Sequence, residues 1–138
     1  MPMLATIFLI LVAVVGWIVT CQIWDRNRIR KLAKFRLGES FETFRASFAI
    51  EEVAVEILLA VYAKFQSYSN GGFPVRADDC LWKIYRLDAE EFEDAINEVL
   101  AACHRQLPPN FRNLCPVIVN KVRDFVMVVD ACPIKPTR

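Results

Sequence analysis

Residues 3–24 form an apolar run without a single charged side chain, its polar positions being only Thr6, Thr20 and Gln22. The chain that follows changes to short helical stripes separated by turn residues. A run of 22 residues in a helix rises about 33 Å, close to the hydrocarbon thickness of a bilayer. The pattern therefore predicts a transmembrane anchor over residues 1–25, with Trp24 placed at the end where an amphipathic ring suits the headgroup layer. A cleaved signal peptide is the alternative. Against it stand the absence of a charged n-region, an apolar run longer than the usual ~7 to 15 residues, and no A-x-A-like cleavage site.

Beyond the anchor, residues 26–37 read as a continuing helix with Ile29, Leu32 and Phe35 spaced by three and Gly38 as its stop. Phe41, Phe44 and Phe48 follow at i, i+3, i+7 as one aromatic stripe, with Ser40 placed to cap it. Residues 26–48 thus form basic juxtamembrane and aromatic linker helices. The clearest periodicity covers residues 50–65, where Ile50, Val53, Ile57, Leu58, Val61, Tyr62 and Phe65 share one face. Asn70-Gly71-Gly72 ends that helix with turn chemistry. Residues 74–79 then read as an extended linker, with Asp78 or Asp79 capping a short turn that carries Leu81, Ile84 and Leu87.

A second core helix is expected after Asp88. Glu90, Glu91, Glu93 and Asp94 crowd its first turns and complement the positive end of the helix dipole. Phe92, Ile96, Val99, Leu100 and Cys103 give it an apolar face, and Pro108-Pro109 closes it or the loop beyond. Residues 117–129 hold β-branched runs that suit a strand as well as a helix. The spacing of Val122, Phe125, Val126 and Val129, with no convincing second strand to pair with, favours helix. The fold class is all-α: a single N-terminal transmembrane helix, a helical domain over residues 49–130, and a mobile tail over 131–138.

Charge sharpens this picture by its segregation. Residues 25–36 hold six basic side chains and one acidic, while the remainder holds eleven basic and fifteen acidic, a balance of −4. Arg26, Arg28, Arg30, Lys31, Lys34 and Arg36 all follow the apolar run and none precedes it. By the positive-inside tendency the N-terminus lies outside and the C-terminal domain is cytoplasmic. Arg26, Arg28, Arg30, Lys31 and Lys34 are the candidates for contact with anionic membrane lipid. Nothing in this balance suggests nucleic-acid binding. Five cysteines with irregular gaps lack zinc-ligand spacing, so no metal is expected and the thiols are read as reduced. Cys103 beside His104, the only histidine, falls short of a catalytic pair because helical neighbours point about 100° apart.

The order of elements over roughly residues 50–130 resembles the acyl carrier protein family. Two core helices flank a long linker, and the second opens at Leu87-Asp88 with an acidic first turn. Asp79-Cys80-Leu81 precedes the linker's turn, and Val122-Arg123-Asp124-Phe125-Val126 looks like the family's last helix. The resemblance implies a small four-helix bundle. In that family a serine directly after the aspartate carries 4′-phosphopantetheine, whereas Ala89 occupies the place here. Residues 70–138 contain no serine, and their only threonine is Thr137. The resemblance therefore implies a carrier-like fold with no attachment point and no cofactor.

Carrier proteins are recognised by basic partners through their acidic second helix, and residues 78–98 keep that character with eight acidic and two basic side chains. The leading expectation is a non-catalytic, membrane-anchored interaction module. Its docking surface would be Glu90, Glu91, Glu93 and Asp94, or the stripe of Phe41, Phe44 and Phe48, and its partner an unidentified, basic protein. Two alternatives stand beside it. One is non-covalent binding of an acyl chain or lipid in a cavity lined by Phe92, Ile96, Val61 and Phe65. The other is a small structural subunit of a membrane complex. No Gly-rich phosphate loop and no convergent acid–base set point to an enzyme.

Overall fold

A computed structural model of the chain describes residues 2–111 and 118–136, and it is all-helical apart from turns and two isolated bridges. It divides into two compact units, residues 1–37 and 38–138.

The first unit is one uninterrupted helix, α1, Pro2–Phe35. Leu, Ile, Val and Ala dominate its first two thirds, which hold no charge, and its one proline, Pro2, stands at the first helical position, where the missing N–H costs nothing. None of its most apolar stretch is buried, and Met3–Phe35 is long and apolar enough to cross a membrane. That exposure separates it from the core helix of a water-soluble domain, which hides its apolar face. The basic residues continue the same helix, as the sequence leads one to expect. Gly38 ends the turn that follows with φ +87°, a left-handed conformation that glycine adopts without a Cβ penalty.

The second unit is built on α3, Val55–Tyr68, which packs against α2 (Phe41–Ala46), α5 (Ala89–Ala102) and α6 (Val122–Ala131), with α5 also touching α6. A single turn, α4 (Leu81–Ile84), interrupts the connection between α3 and α5. Ile57, Val61 and Phe65 of α3, Leu81 of α4, and Val122, Phe125 and Val126 of α6 are fully buried. Phe65 meets Phe125 edge-on at 5.2 Å and Tyr85 at 4.9 Å, giving the core an aromatic centre.

Several boundaries differ from the sequence reading, each for a nameable reason. Helix α3 begins at Val55 and not at residue 50. The segment before it is a turn in which Glu52 takes φ +51°, and Ile50 is left 94% exposed, off the core face. The linker over 74–79 is no loose connection, because Phe73, Val75 and Ala77 are buried in alternation, the period of an extended chain laid on a core. Neither Asp78 nor Asp79 caps α4. Asp79 is instead buried and accepts hydrogen bonds from the Tyr85 hydroxyl at 2.8 Å and the Arg76 N–H at 3.0 Å.

The last helix opens at Val122, while Ile118 is exposed; Val117 lies outside the described residues. Ahead of α6 the chain pairs antiparallel with the linker. Cys80 bridges Lys121, Leu81 N–H donates to Asn120 O at 2.9 Å, and Val122 N–H to Asp79 O at 3.0 Å. The chain at the start of α6 thus finds a short extended partner in a segment that does not look like a strand. The expected mobile tail is tied down through residue 135. Arg105 donates to the carbonyls of Asp130 and Cys132, both at 2.6 Å, Lys135 N–H donates to His104 O at 2.7 Å, and Cys132 is buried. Thr137 and Arg138 lie outside the described residues.

Candidate docking surface

Helix α5 is fixed at its start by a reciprocal cap. Asp88 accepts the Glu91 N–H at 2.8 Å and Glu91 accepts the Asp88 N–H at 3.0 Å, which satisfies two amide donors that a helix start otherwise leaves open. Ala89, the first helical residue, is exposed and brings only a methyl to this end. Glu91 therefore belongs to the cap and is committed to its own backbone. Glu90, Glu93 and Asp94 are exposed and, with Asn97, fall at i, i+3, i+4, i+7 on one face. None of the three carboxylates forms a side-chain hydrogen bond or ion pair among the described residues. Glu98, one turn on, is different: it pairs with Lys64 of α3, and that carboxylate raises the Lys64 pKa above its ordinary value against the opposing pull of burial.

Beside this row lies an apolar groove of about 570 Å³ between α5 and residues 107–111, with Phe92 and Ile96 on one side and Leu107, Pro108 and Phe111 on the other; Glu93 stands at its edge. Phe92 is held by Trp82 at 5.9 Å and by Phe125 at 5.8 Å. Val61 and Phe65, expected to line the same cavity, do not. Both are sealed in the core behind it.

The aromatic stripe serves a different purpose from docking. Phe44 and Phe48 are buried and meet edge-on at 5.1 Å, and Phe44 also meets Tyr62 of α3 at 5.3 Å; only Phe41 keeps a half-exposed ring, edge-on to Tyr62 at 5.4 Å. A short helix of six residues cannot stand alone, and its phenylalanines supply the face that docks it. Phe44 and Phe48 are thus withdrawn from any partner.

Arg123 was not singled out by its sequence context, and it turns out to organise this end. It pairs with Glu51, donates to Ser47 O at 3.0 Å, and lies over the Phe48 ring at 4.9 Å. Its only sequence signal is a lone cation next to the apolar face of α6.

Of the basic residues, Arg28 pairs with Asp25 at 3.6 Å on the same helix, whereas Arg26, Arg30, Lys31 and Lys34 stay exposed. Cys103 and His104 do not form a reactive pair. Burial pushes the Cys103 thiol up, so it keeps its proton, and its Sγ lies 3.9 Å from Glu56 O. His104 is exposed and ends α5 at φ +54°.

These features define a small all-helical unit joined to one apolar helix of membrane-spanning length. No family model, characterised protein or solved structure matches the chain.

Proposed function

We propose that this protein is a membrane-anchored, non-catalytic interaction module with a carrier-like fold that carries no phosphopantetheine. Helix α1 crosses the membrane once, with the N-terminus outside, and the helical unit docks a basic protein partner at the cytoplasmic face. The observation that carries this reading is the row Glu90, Glu93 and Asp94: three exposed carboxylates without side-chain partners among the described residues, beside an apolar groove. Like charges at i, i+3 and i, i+4 cost a helix about 0.2 to 0.5 kcal/mol per pair. The helix dipole offsets that repulsion near the N-terminus, so the row adds little to the fold and leaves a negative surface open to a basic partner. Tethering to a membrane raises the effective concentration of a partner held there, so a weak contact suffices.

Site-specific photocrosslinking from position 97 in native membranes tests the proposal. A discrete crosslinked protein is expected in wild type, and the combined Glu90→Gln, Glu93→Gln, Asp94→Asn variant should lose it. An identical adduct in both would sink the acidic-row reading. Intact mass of the purified chain should equal that of the bare polypeptide, with no prosthetic group added at any residue.

The groove lends support to a second reading, non-covalent binding of an acyl chain. Native mass spectrometry of the detergent-extracted protein would show co-purified lipid, and Ile96→Trp, which fills the groove, would remove it. Loss of lipid with retention of the crosslink would separate the two readings.

A further inference from the structure

Four cations on one face of α1 have no side-chain partner among the described residues. Because α1 runs unbroken to Phe35, the helical spacing of 100° per residue applies throughout the basic segment. Setting Arg26 at zero, Arg30 lies at about 40°, Lys34 at about 80° and Lys31 at about 140°. Arg28 lies on the far side, at about 200°, where Asp25 neutralises it. Arg26, Arg30, Lys31 and Lys34 are exposed and form no side-chain hydrogen bond or ion pair among the described residues. Arg26, Arg30 and Lys34 form an i, i+4 ladder of like charge, which disfavours the helix unless an anion lies against it.

Position selects the anion. The rise of α1 places Arg26 about 3 Å, Arg30 about 9 Å and Lys34 about 15 Å beyond Trp24. The polar headgroup layer is about 5 to 7 Å deep on each side of a bilayer. Helical side chains lean toward the helix N-terminus, and here that direction is toward the apolar span. The long arms of Arg30 and Lys31 therefore reach back to the headgroups, while Lys34, farther out, acts on them through its field across the gap that remains.

We infer that this face of α1 binds anionic phospholipid headgroups of the leaflet at the C-terminal end of the span, Arg26 by direct contact, Arg30 and Lys31 by reaching back to the phosphate layer, and Lys34 by attraction from just beyond it. The inference rests on the reading of α1 as a membrane span. Arg28 is not part of the site.

Quenching of the span tryptophans by lipids brominated in their acyl chains provides the test. The full chain is reconstituted in phosphatidylcholine vesicles containing a fixed fraction of phosphatidylglycerol, with the bromines carried on one lipid or the other. Wild type should be quenched severalfold more effectively, per mole of bromolipid, when the bromines are on phosphatidylglycerol. The combined Arg26→Gln, Arg30→Gln, Lys31→Gln, Lys34→Gln variant should be quenched equally by both, and Arg28→Gln should keep the wild-type preference. Equal quenching of wild type by both lipids would overturn the site while leaving the span intact. Quenching by neither would overturn the span itself, and this site with it.

Discussion

At the scale of single residues, a few polar side chains hold the helical unit in place. Asp88 is the clearest, because the cap it forms with Glu91 depends on both partners. Asp88→Ala should lower stability by about 1 kcal/mol, and adding Glu91→Ala should cost less than the sum of the two single changes, as urea titrations of the detergent-solubilised chain would show. Arg123 has wider reach: its guanidinium joins Glu51, the Ser47 carbonyl and the Phe48 ring to the start of α6. Arg123→Ala should destabilise by about 1.5 to 3 kcal/mol, the usual worth of hydrogen bonds to a charged group. Arg123→Lys should recover little of that loss, since an ammonium cannot reproduce the fork. A thermal melt that places the lysine variant at wild type would contradict the clamp.

Among the elements, α5 was the most legible in the sequence, for its start is set by a local motif. Asp88, the acidic first turn and the stripe of Ile96, Val99 and Leu100 all lie within 14 residues of one another, and the structure places them as the spacing implies. Helix α3 was read too long because its controlling contact is distant. Ile50 and Val53 continue the spacing of Ile57, yet the turn at Glu52 is held by Arg123, 72 residues away from Glu51 in sequence, and periodicity carries no trace of that pairing. The linker reads as extended, but its burial leaves little signal: Phe73, Val75 and Ala77 alternate over only five residues, directly after Gly71-Gly72 and around Pro74, which signal a loop. The acidic row, unlike these, contributes little to the fold. Neutralising Glu90, Glu93 and Asp94 relieves mutual repulsion but loses part of the favourable interaction with the helix dipole, so unfolding free energy should change by less than about 0.5 kcal/mol. A larger loss in denaturation would mean that the row is structural and would remove the main support for docking.

For the whole molecule, the proton balance of the helical unit tilts in one direction. Lys64 is raised by its bond to Glu98, Tyr62 and Tyr68 by burial, and Cys103 by burial. Each group holds its proton more tightly folded than unfolded, so its contribution is complete below its ordinary value and is lost as pH rises through the folded one. Those ordinary values are 9.0 for the thiol, 10.0 for the tyrosines and 10.5 for the lysine. The melting temperature should therefore hold steady from neutral pH to about pH 9 and fall beyond it. Lys64→Met should reduce the alkaline slope; a midpoint that rises with pH above 9 would reverse the sign of the argument.

The fork of Arg105 on the carbonyls of Asp130 and Cys132, with Lys135 bonded to His104, has a consequence for the order in which the protein comes into being. The helical unit is closed by residues made well after α1. At about 5 to 20 residues per second, the ribosome needs roughly 5 to 20 s to travel from the end of α1 to that closing segment. On the reading of α1 as an anchor, the chain is delivered to its membrane while still an open nascent polypeptide. On that reading its helical unit then completes folding only at the membrane.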